Sequence, residues 1–138
     1  MTGLEAVTAV AKHILSASPS VFGATAGRVF KYEKEKGYDG DYIAVNNLPF
    51  IHRNAHETAI VNVNVHCKKL STDEPNVRRL TEIANEVISL FNYTDGVNLN
   101  GAYFRFVTDS RPTPDNDNTY YVNLALECIF FDEKTITN

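Results

Sequence analysis

The sequence has no tryptophan and only two cysteines among its 138 residues. A domain of this length buries roughly two thirds of its unfolded surface, so it folds without disulfides or a structural metal. Cys67 and Cys128 each lie in an apolar or strand-like run, which is typical of buried free thiols. Two cysteines do not make a disulfide framework, although a single pair on neighbouring strands stays open. We expect one domain spanning residues 1–138.

An excess of basic side chains is also missing. The chain carries 13 lysines and arginines against 17 aspartates and glutamates, for a net charge of −4. The densest charged run, Tyr32–Lys36, alternates in sign and makes no positive patch. Because phosphate binding needs a concentrated basic face, we expect no nucleic-acid partner.

Long hydrophobic runs are absent too, and the longest apolar run is far short of a membrane span. The first residues do not follow the basic, apolar and small-residue order of a signal peptide. We therefore expect no membrane partner and a place in an aqueous interior, as in the cytoplasm.

Motifs that carry catalysis are lacking. There is no Gly-x-Ser-x-Gly elbow, and the glycine-containing stretch Gly23–Gly27 has no following lysine and no strand-to-helix context for a phosphate loop. His66 and Cys67 are adjacent on a predicted strand, so their side chains point to opposite faces and cannot act as a base and a nucleophile together. We predict that the chain is not an enzyme and uses no cofactor.

Two groups of residues have a spacing that metal sites use, and we predict that neither binds a metal. His52 and His56 stand four apart, but Asn54 and Pro49 favour a loop with surface histidines. Asp115 and Asp117 begin like a calcium loop. Its sixth position, which requires glycine, is Tyr120, and its twelfth, which requires glutamate, is Leu126. An Asx-rich turn is the better interpretation.

Two amphipathic helices are present in the pattern. Thr2 and Glu5 form a capping box, and a helix is predicted from Gly3 to Ala17, stopped by Ser18-Pro19-Ser20. A second helix is predicted to start within Ser71–Pro75 and to end near Phe91. The predicted apolar stripe of the first helix contains Leu4, Val7, Val10, Ala11, Ile14 and Leu15.

Six segments have strand character, and in the two long ones the side chains alternate between two unlike faces. In Thr58–Cys67 three valines alternate with Asn62, Asn64 and His66. The predicted strands are residues 28–32, 42–46, 58–67, 97–99, 102–108 and 120–131. The order predicts an α+β fold, with an antiparallel or mixed sheet of four to six strands and two helices packed on one face.

The outward face of this sheet is unusual, because asparagine is depleted in strands. An uncharged polar face can dock against another subunit without the cost of desolvating charge, although a simply solvated face is an equal alternative. The loops 32–41 and 109–119 can guard the sheet edges or reach a neighbouring subunit. The candidate subunit-interface residues are therefore Asn46, Asn62, Asn64 and Asn123 on the face, with Asp115 and Asp117 in the second loop.

The order and texture of these elements resemble a known family. Over nearly the whole chain, the pattern resembles the tail-terminator or tail-completion proteins of long-tailed bacteriophages. The elements that carry the resemblance are the N-terminal helix, the strands Arg28–Tyr32, Tyr42–Asn46 and Ile60–His66, the helix Asn76–Ile83 and the strand Tyr121–Phe130. Members are small α+β proteins that form rings, typically of six subunits. These rings cap the tail tube and face the head's connector.

The resemblance implies a structural role in the virion. The expected partners are further copies of the chain in a hexameric ring, the tail-tube protein and head-connector proteins, assembled in the host cytoplasm. It brings no catalytic residues. Two alternatives come from other classes: a ligand-binding or enzymatic α+β domain whose tyrosines and phenylalanines line a cleft between helices and sheet, and a cellular adaptor.

Overall fold

The computed structural model of the protein describes residues 1–23, 27–50, 56–93 and 95–131. Three helices and seven strands follow one another along these residues. The helices are α1 (Gly3–Leu15), α2 (Ser18–Phe22) and α3 (Val77–Leu90). The strands are β1 (Arg28–Lys31), β2 (Tyr42–Asn47), β3 (His56–Lys68), β4 (Val97–Leu99), β5 (Ala102–Asp109), β6 (Thr113–Pro114) and β7 (Thr119–Phe131).

Helix α1 begins where the capping box predicts. The Thr2 hydroxyl accepts from the Glu5 amide at 3.1 Å, and the Glu5 carboxylate accepts from the Thr2 amide at 3.0 Å. Its buried face is made by Ala6, Val7, Ala9, Val10, Ala11 and Ile14. The prediction was wrong for Leu4 and Leu15, which are 68% and 55% exposed. Both lie on the same edge of the predicted stripe, and the buried face is turned toward the opposite edge, where Ala6 and Ala9 lie.

The other two helix boundaries also differ from prediction. The first helix ends at Leu15, before the predicted Ala17. Pro19 then lies in the first turn of the short helix α2, where a proline loses no intrahelical hydrogen bond. Helix α3 starts later than Ser71–Pro75, at Asn76, whose side chain accepts from the Arg79 amide at 3.2 Å. The apolar stripe of α3 buries Leu80, Ile83 and Val87.

The α+β class and the mixed sheet are confirmed. The sheet is curled like a half-barrel, with the strand order β1-β2-β3-β7-β5-β4, and β6 pairs with β7 inside the predicted second loop. Only the β1–β2 pair is parallel; all other pairs between described strands are antiparallel. The two longest strands, β3 and β7, pair along their full lengths and form the centre of the sheet.

The core lies between the helices and one face of this sheet. It contains the apolar members of the alternating strands, among them Val61, Val63 and Val65 of β3 and Leu124 and Leu126 of β7. Cys67 and Cys128 are free and belong to the same core, as predicted for buried thiols. Burial raises the pKa of each thiol to about 12.

The two outer strands have main-chain edges that pair with no other described strand. At one end, β1 pairs with β2 and with no second strand in the described parts of the chain. At the other end, β4 covers only Ala102–Phe104 of β5, so the stretch from Arg105 to Asp109 has no strand on its outer side among the described residues. A bulge between Phe106 and Thr108 leaves Val107 50% exposed. Among the described residues, no helix has the length and apolarity needed to cross a membrane.

Candidate functional site

A polar groove of about 780 Å³ runs over the sheet face that points away from the helices. Its floor comes from the outward positions of β2, β3 and β7, which the antiparallel register places in rows across the sheet. One row is Tyr42, His66 and Tyr121. The next row, two residues along each strand, is Ala44, Asn64 and Asn123. The groove is therefore built by the central strands of the sheet.

Two loops form the walls. The first, residues 32–41, contributes Tyr32, Glu33 and Lys34, and the second, between β6 and β7, contributes Asp115 and Asp117. The Lys34 ammonium lies 3.5 Å from the Asp117 carboxylate, so the loops meet across the floor through an ion pair. Both loops that the sequence analysis assigned to edges or neighbouring subunits thus fold over the sheet face of their own chain.

The asparagines of the floor hydrogen-bond to one another. The Asn123 amide donates to the side-chain oxygens of Asn62 at 3.1 Å and Asn64 at 2.8 Å. The Asn62 amide in turn donates to Asn46 at 3.1 Å. All four are half-buried. Because each amide has two donors and two acceptor lone pairs, this ladder uses only part of its hydrogen-bonding capacity.

A second hydrogen-bonded chain lies beside the ladder. The Tyr42 hydroxyl donates to Asp117 Oδ2 at 2.5 Å, and the Thr119 hydroxyl donates to Asp117 Oδ1. Thr119 Oγ1, whose hydroxyl proton points to Asp117, accepts from His66 Nδ1 at 3.0 Å. The neutral His66 ring therefore carries its proton on Nδ1, and Nε2 keeps a lone pair. His66 is only 6% exposed and is stacked between Tyr42 and Tyr121, with ring centroids 4.2 Å and 5.0 Å away.

The titration of these groups follows from burial and from Asp117. Desolvation lowers the pKa of His66 and outweighs the negative charges of Asp117 and Asp115, which raise it. Burial, followed by the hydrogen bond to Asp117, raises the pKa of Tyr42 well above its usual range. The pKa of Asp117 is lowered: hydrogen bonds from Thr119 and Tyr42, with the nearby His66 and Lys34, outweigh the larger single effect of desolvation. At neutral pH the site holds a neutral histidine and an ionised Asp117.

Three side chains of the groove have the atoms of a metal site. Ligand atoms of His66, Asp115 and Asp117 lie within 4.8 Å of one another. In the present arrangement Nδ1 of His66 carries a proton toward Thr119, and the Asp117 charge already faces Lys34, so a cation at Asp117 would compete with this ion pair.

Five of the six predicted interface residues come together in this groove. They are Asn62, Asn64, Asn123, Asp115 and Asp117, and Asn46 joins them by its hydrogen bond to Asn62. Their role at a subunit interface stays a prediction. His52 lies outside the described residues, as does the side chain of His56.

Sequence reasoning missed other groove residues. Tyr42, Lys34 and Thr119 were not singled out, and their roles depend on contacts between distant segments. The available signal for His66 and Tyr121 was the period-two alternation, which places them on the same face as Asn64 and Asn123. His66 and Cys67 do lie on opposite faces, one in the groove and one in the core.

The comparisons with known proteins show a shared fold. No protein-family model and no curated protein matches the sequence. A solved chain from the virion of a native gene transfer agent particle is similar to this chain with a TM-score of 0.60 and 12% identity, over 91% of this chain and 93% of that one. A second solved structure, whose name describes no activity, has a TM-score of 0.59 and 18% identity, over 94% of this chain and 96% of that one.

Proposed function

We propose that this chain is a structural virion protein of a tailed phage that forms a homo-oligomeric ring at the head–tail junction. In that place it terminates the tail tube and contacts the connector. The observation that carries the proposal is the full-length likeness to a chain of a gene transfer agent virion. The sequence resemblance to phage tail-terminator proteins points to the same kind of particle. The role is one of assembly and not of catalysis.

The uncovered edges of the sheet supply a physical reason for a ring. Closed rings of identical subunits need two different surfaces on each subunit, because the contact is head-to-tail. The β1 edge, with Arg28 and Lys31, and the β5 edge beyond Arg105 lie at opposite ends of one sheet and differ in sequence. Exposed strand edges are templates for pairing with another chain. Association of the β5 edge of one copy with a neighbour would cover Val107.

Native mass spectrometry and electron microscopy over a range of concentrations test this proposal. We expect closed rings, typically hexamers, at high concentration or on added tail tubes. Val107→Lys places a charge on the β5 edge and should abolish rings without unfolding the chain. Ser89→Lys, at an exposed position of α3, is the matched control and should assemble normally. A protein that stays monomeric both alone and with tail tubes overturns the proposal.

The alternative is a cellular ligand-binding or adaptor domain, and the polar groove is the observation that favours it. The cleft expected between helices and sheet is a pocket of only about 200 Å³, lined largely by apolar side chains such as Leu80, Ala84 and Ile88. The larger groove is on the other face. The genomic neighbourhood separates the two functions, because virion structural genes cluster together and the genes of a cellular adaptor lie among cellular ones.

A further inference from the structure

Three amide and imidazole atoms in the floor of the groove have no hydrogen-bond partner among the described residues. Asn64 accepts from Asn123 through its oxygen, so its Nδ2 has two donors unused. Asn123 donates through Nδ2 only, which leaves its Oδ1 as an unused acceptor. His66 bonds through Nδ1, and its Nε2 lone pair is a second unused acceptor. The His66 residue is only 6% exposed. Half-buried and buried polar atoms gain from a partner.

The chemistry and spacing of these atoms match a peptide main chain. A donor beside two acceptors is the complement of a C=O group beside two N–H groups. His66 and Asn64 are two residues apart on β3, a rise of roughly 6.6 Å. An extended peptide that runs along β3 turns both an N–H group and a C=O group to the same side at every second residue, so the donor of Asn64 and the acceptor of His66 can meet groups of residues two apart. The volume of about 780 Å³ lies within the range of ligand-binding clefts.

The charge in the groove selects among peptides. Asp117 is paired with Lys34. Glu33 and Asp115 line the same groove and contact no lysine or arginine in the described parts of the chain. Because His66 is kept neutral, these two carboxylates leave the groove negative. A lysine or arginine of the bound segment would face them.

The aromatic rings of the floor fix how a ligand can meet His66. Both faces of the His66 ring are occupied, by Tyr42 and by Tyr121. The imidazole therefore offers its edge, with Nε2, and not its face. Edge-on hydrogen bonding again suits an amide N–H of a peptide.

We propose that the groove binds an extended, basic peptide segment of a partner protein through the main-chain amides of that segment. Asn64 donates to a peptide carbonyl, and Asn123 and His66 accept from peptide N–H groups. Glu33 and Asp115 receive a basic side chain. The groove is complete in one copy of the chain, so this binding does not depend on ring formation.

A displayed library of random short peptides, selected on the wild-type protein, tests the proposal. We expect enriched peptides to be basic and to bind Asn64→Ala and Asn123→Ala about fivefold to tenfold more weakly than wild type, as the loss of one hydrogen bond predicts. Asn98→Ala, at an exposed position of β4, is the control and should bind equally. Circular dichroism establishes that all variants are folded.

Backbone methylation supplies the readout specific to main-chain recognition. Each enriched peptide is remade with one nitrogen methylated at a time, and we expect binding to fall at alternate positions. Glu33→Gln should weaken binding more at low salt than at high salt. The proposal is overturned if substitution of Asn64 or Asn123 weakens the binding of no selected peptide, or if the methylated peptides bind as tightly as the unmethylated ones. It is also overturned if maltotriose or calcium chloride, but no peptide, shifts the Asn64 and Asn123 side-chain amide signals in NMR spectra.

Discussion

The two faces of the sheet are made by alternate residues of the same strands, yet they are stabilised in different ways. Along β3, Val61, Val63 and Val65 are fully buried under the helices. Asn62 and Asn64, which stand between them, are half-buried and hydrogen-bond sideways to neighbouring strands. The apolar face gains from removal of surface from water. The groove face gains from a lateral polar network that keeps some atoms unpaired, so it can take a ligand where the other face cannot.

The largest effect is expected when a groove residue type is placed on the apolar face. Val63→Asn buries an amide that has no partner in the core and removes apolar burial. The two losses together should cost about 4 kcal/mol. Urea unfolding of wild type and variant measures this difference. A cost below about 1 kcal/mol would mean that water reaches the core side of β3.

The next largest effect concerns an ion pair on the helix side. Arg79 and Asp41 are 14% and 16% exposed at the side chain, with 3.2 Å between Nε and Oδ2, and they tie α3 to the start of β2. Asp41→Asn leaves the guanidinium largely buried without a counter-charge, which should cost about 3 kcal/mol.

An exposed ion pair on the same helix is the control for that measurement. Arg78 and Glu82 are 91% and 54% exposed at the side chain. Glu82→Gln should change the free energy of unfolding by less than about 0.5 kcal/mol. Equal effects of the two substitutions in urea unfolding would contradict the assignment of Arg79 and Asp41 to the stability of the core side.

A smaller effect is expected from acid, and it belongs to the groove face. The folded-state pKa of His66 lies below its usual value of 6.5, so the unfolded chain binds the proton more readily. The stability that this neutral ring contributes is present above pH 6.5 and is lost as the pH falls toward the folded-state pKa. The lowered pKa of Asp117 adds a loss only below its usual value of 3.8.

The variant His66→Gln isolates this contribution. Urea unfolding at neutral pH and at about pH 5 should show a larger drop in the free energy of unfolding for wild type than for the variant. The comparison uses the change in the free energy of unfolding between the two pH values. A constant loss of stability from the lost ring stacking therefore does not affect it. An unchanged slope would show that His66 does not titrate differently in the folded state.

The smallest effect is expected for the reverse exchange of residue types. Asn64→Val removes one of the two acceptors of the Asn123 amide, which keeps its bond to Asn62. Valine also favours strands. We expect a change in the free energy of unfolding of less than about 1 kcal/mol, of either sign. A loss as large as that of Val63→Asn would show that the ladder, and not the core, determines the stability of β3.

The features that could be predicted from the sequence, such as the central strands and the start of α1, are those that short-range patterns encode. The alternation in Thr58–Cys67 and Tyr120–Phe131 correctly gave the two central strands and their buried faces. The capping box correctly placed the start of α1. The predicted stripe of α1 was wrong at Leu4 and Leu15, because the helix is turned so that Ala6 and Ala9 are buried instead. A hydrophobic pattern gives alanine little weight and therefore did not show this direction.

The groove was predictable only in part, because it is assembled from distant segments. The alternation showed that Asn62, Asn64 and Asn123 share a face. It could not show that Asp117 lies over that face, since its contact with Tyr42 spans 75 positions of the chain. The parallel pairing of β1 with β2, which carries the first wall into place, is likewise a property of the folded chain and leaves no local pattern.

That parallel pairing also limits how the chain can change. Residues 32–41 must travel from the end of β1 back to the level of Arg28, where Tyr42 enters the sheet, and four paired residues correspond to roughly 13 Å. The same stretch holds Glu33 and Lys34 above the floor. Ten extended residues reach roughly 33 Å, so the segment is longer than this return requires. A short deletion would therefore lower the rim of the groove before it disturbs the alignment of β1 with β2, and an insertion would raise the rim and leave the alignment unchanged.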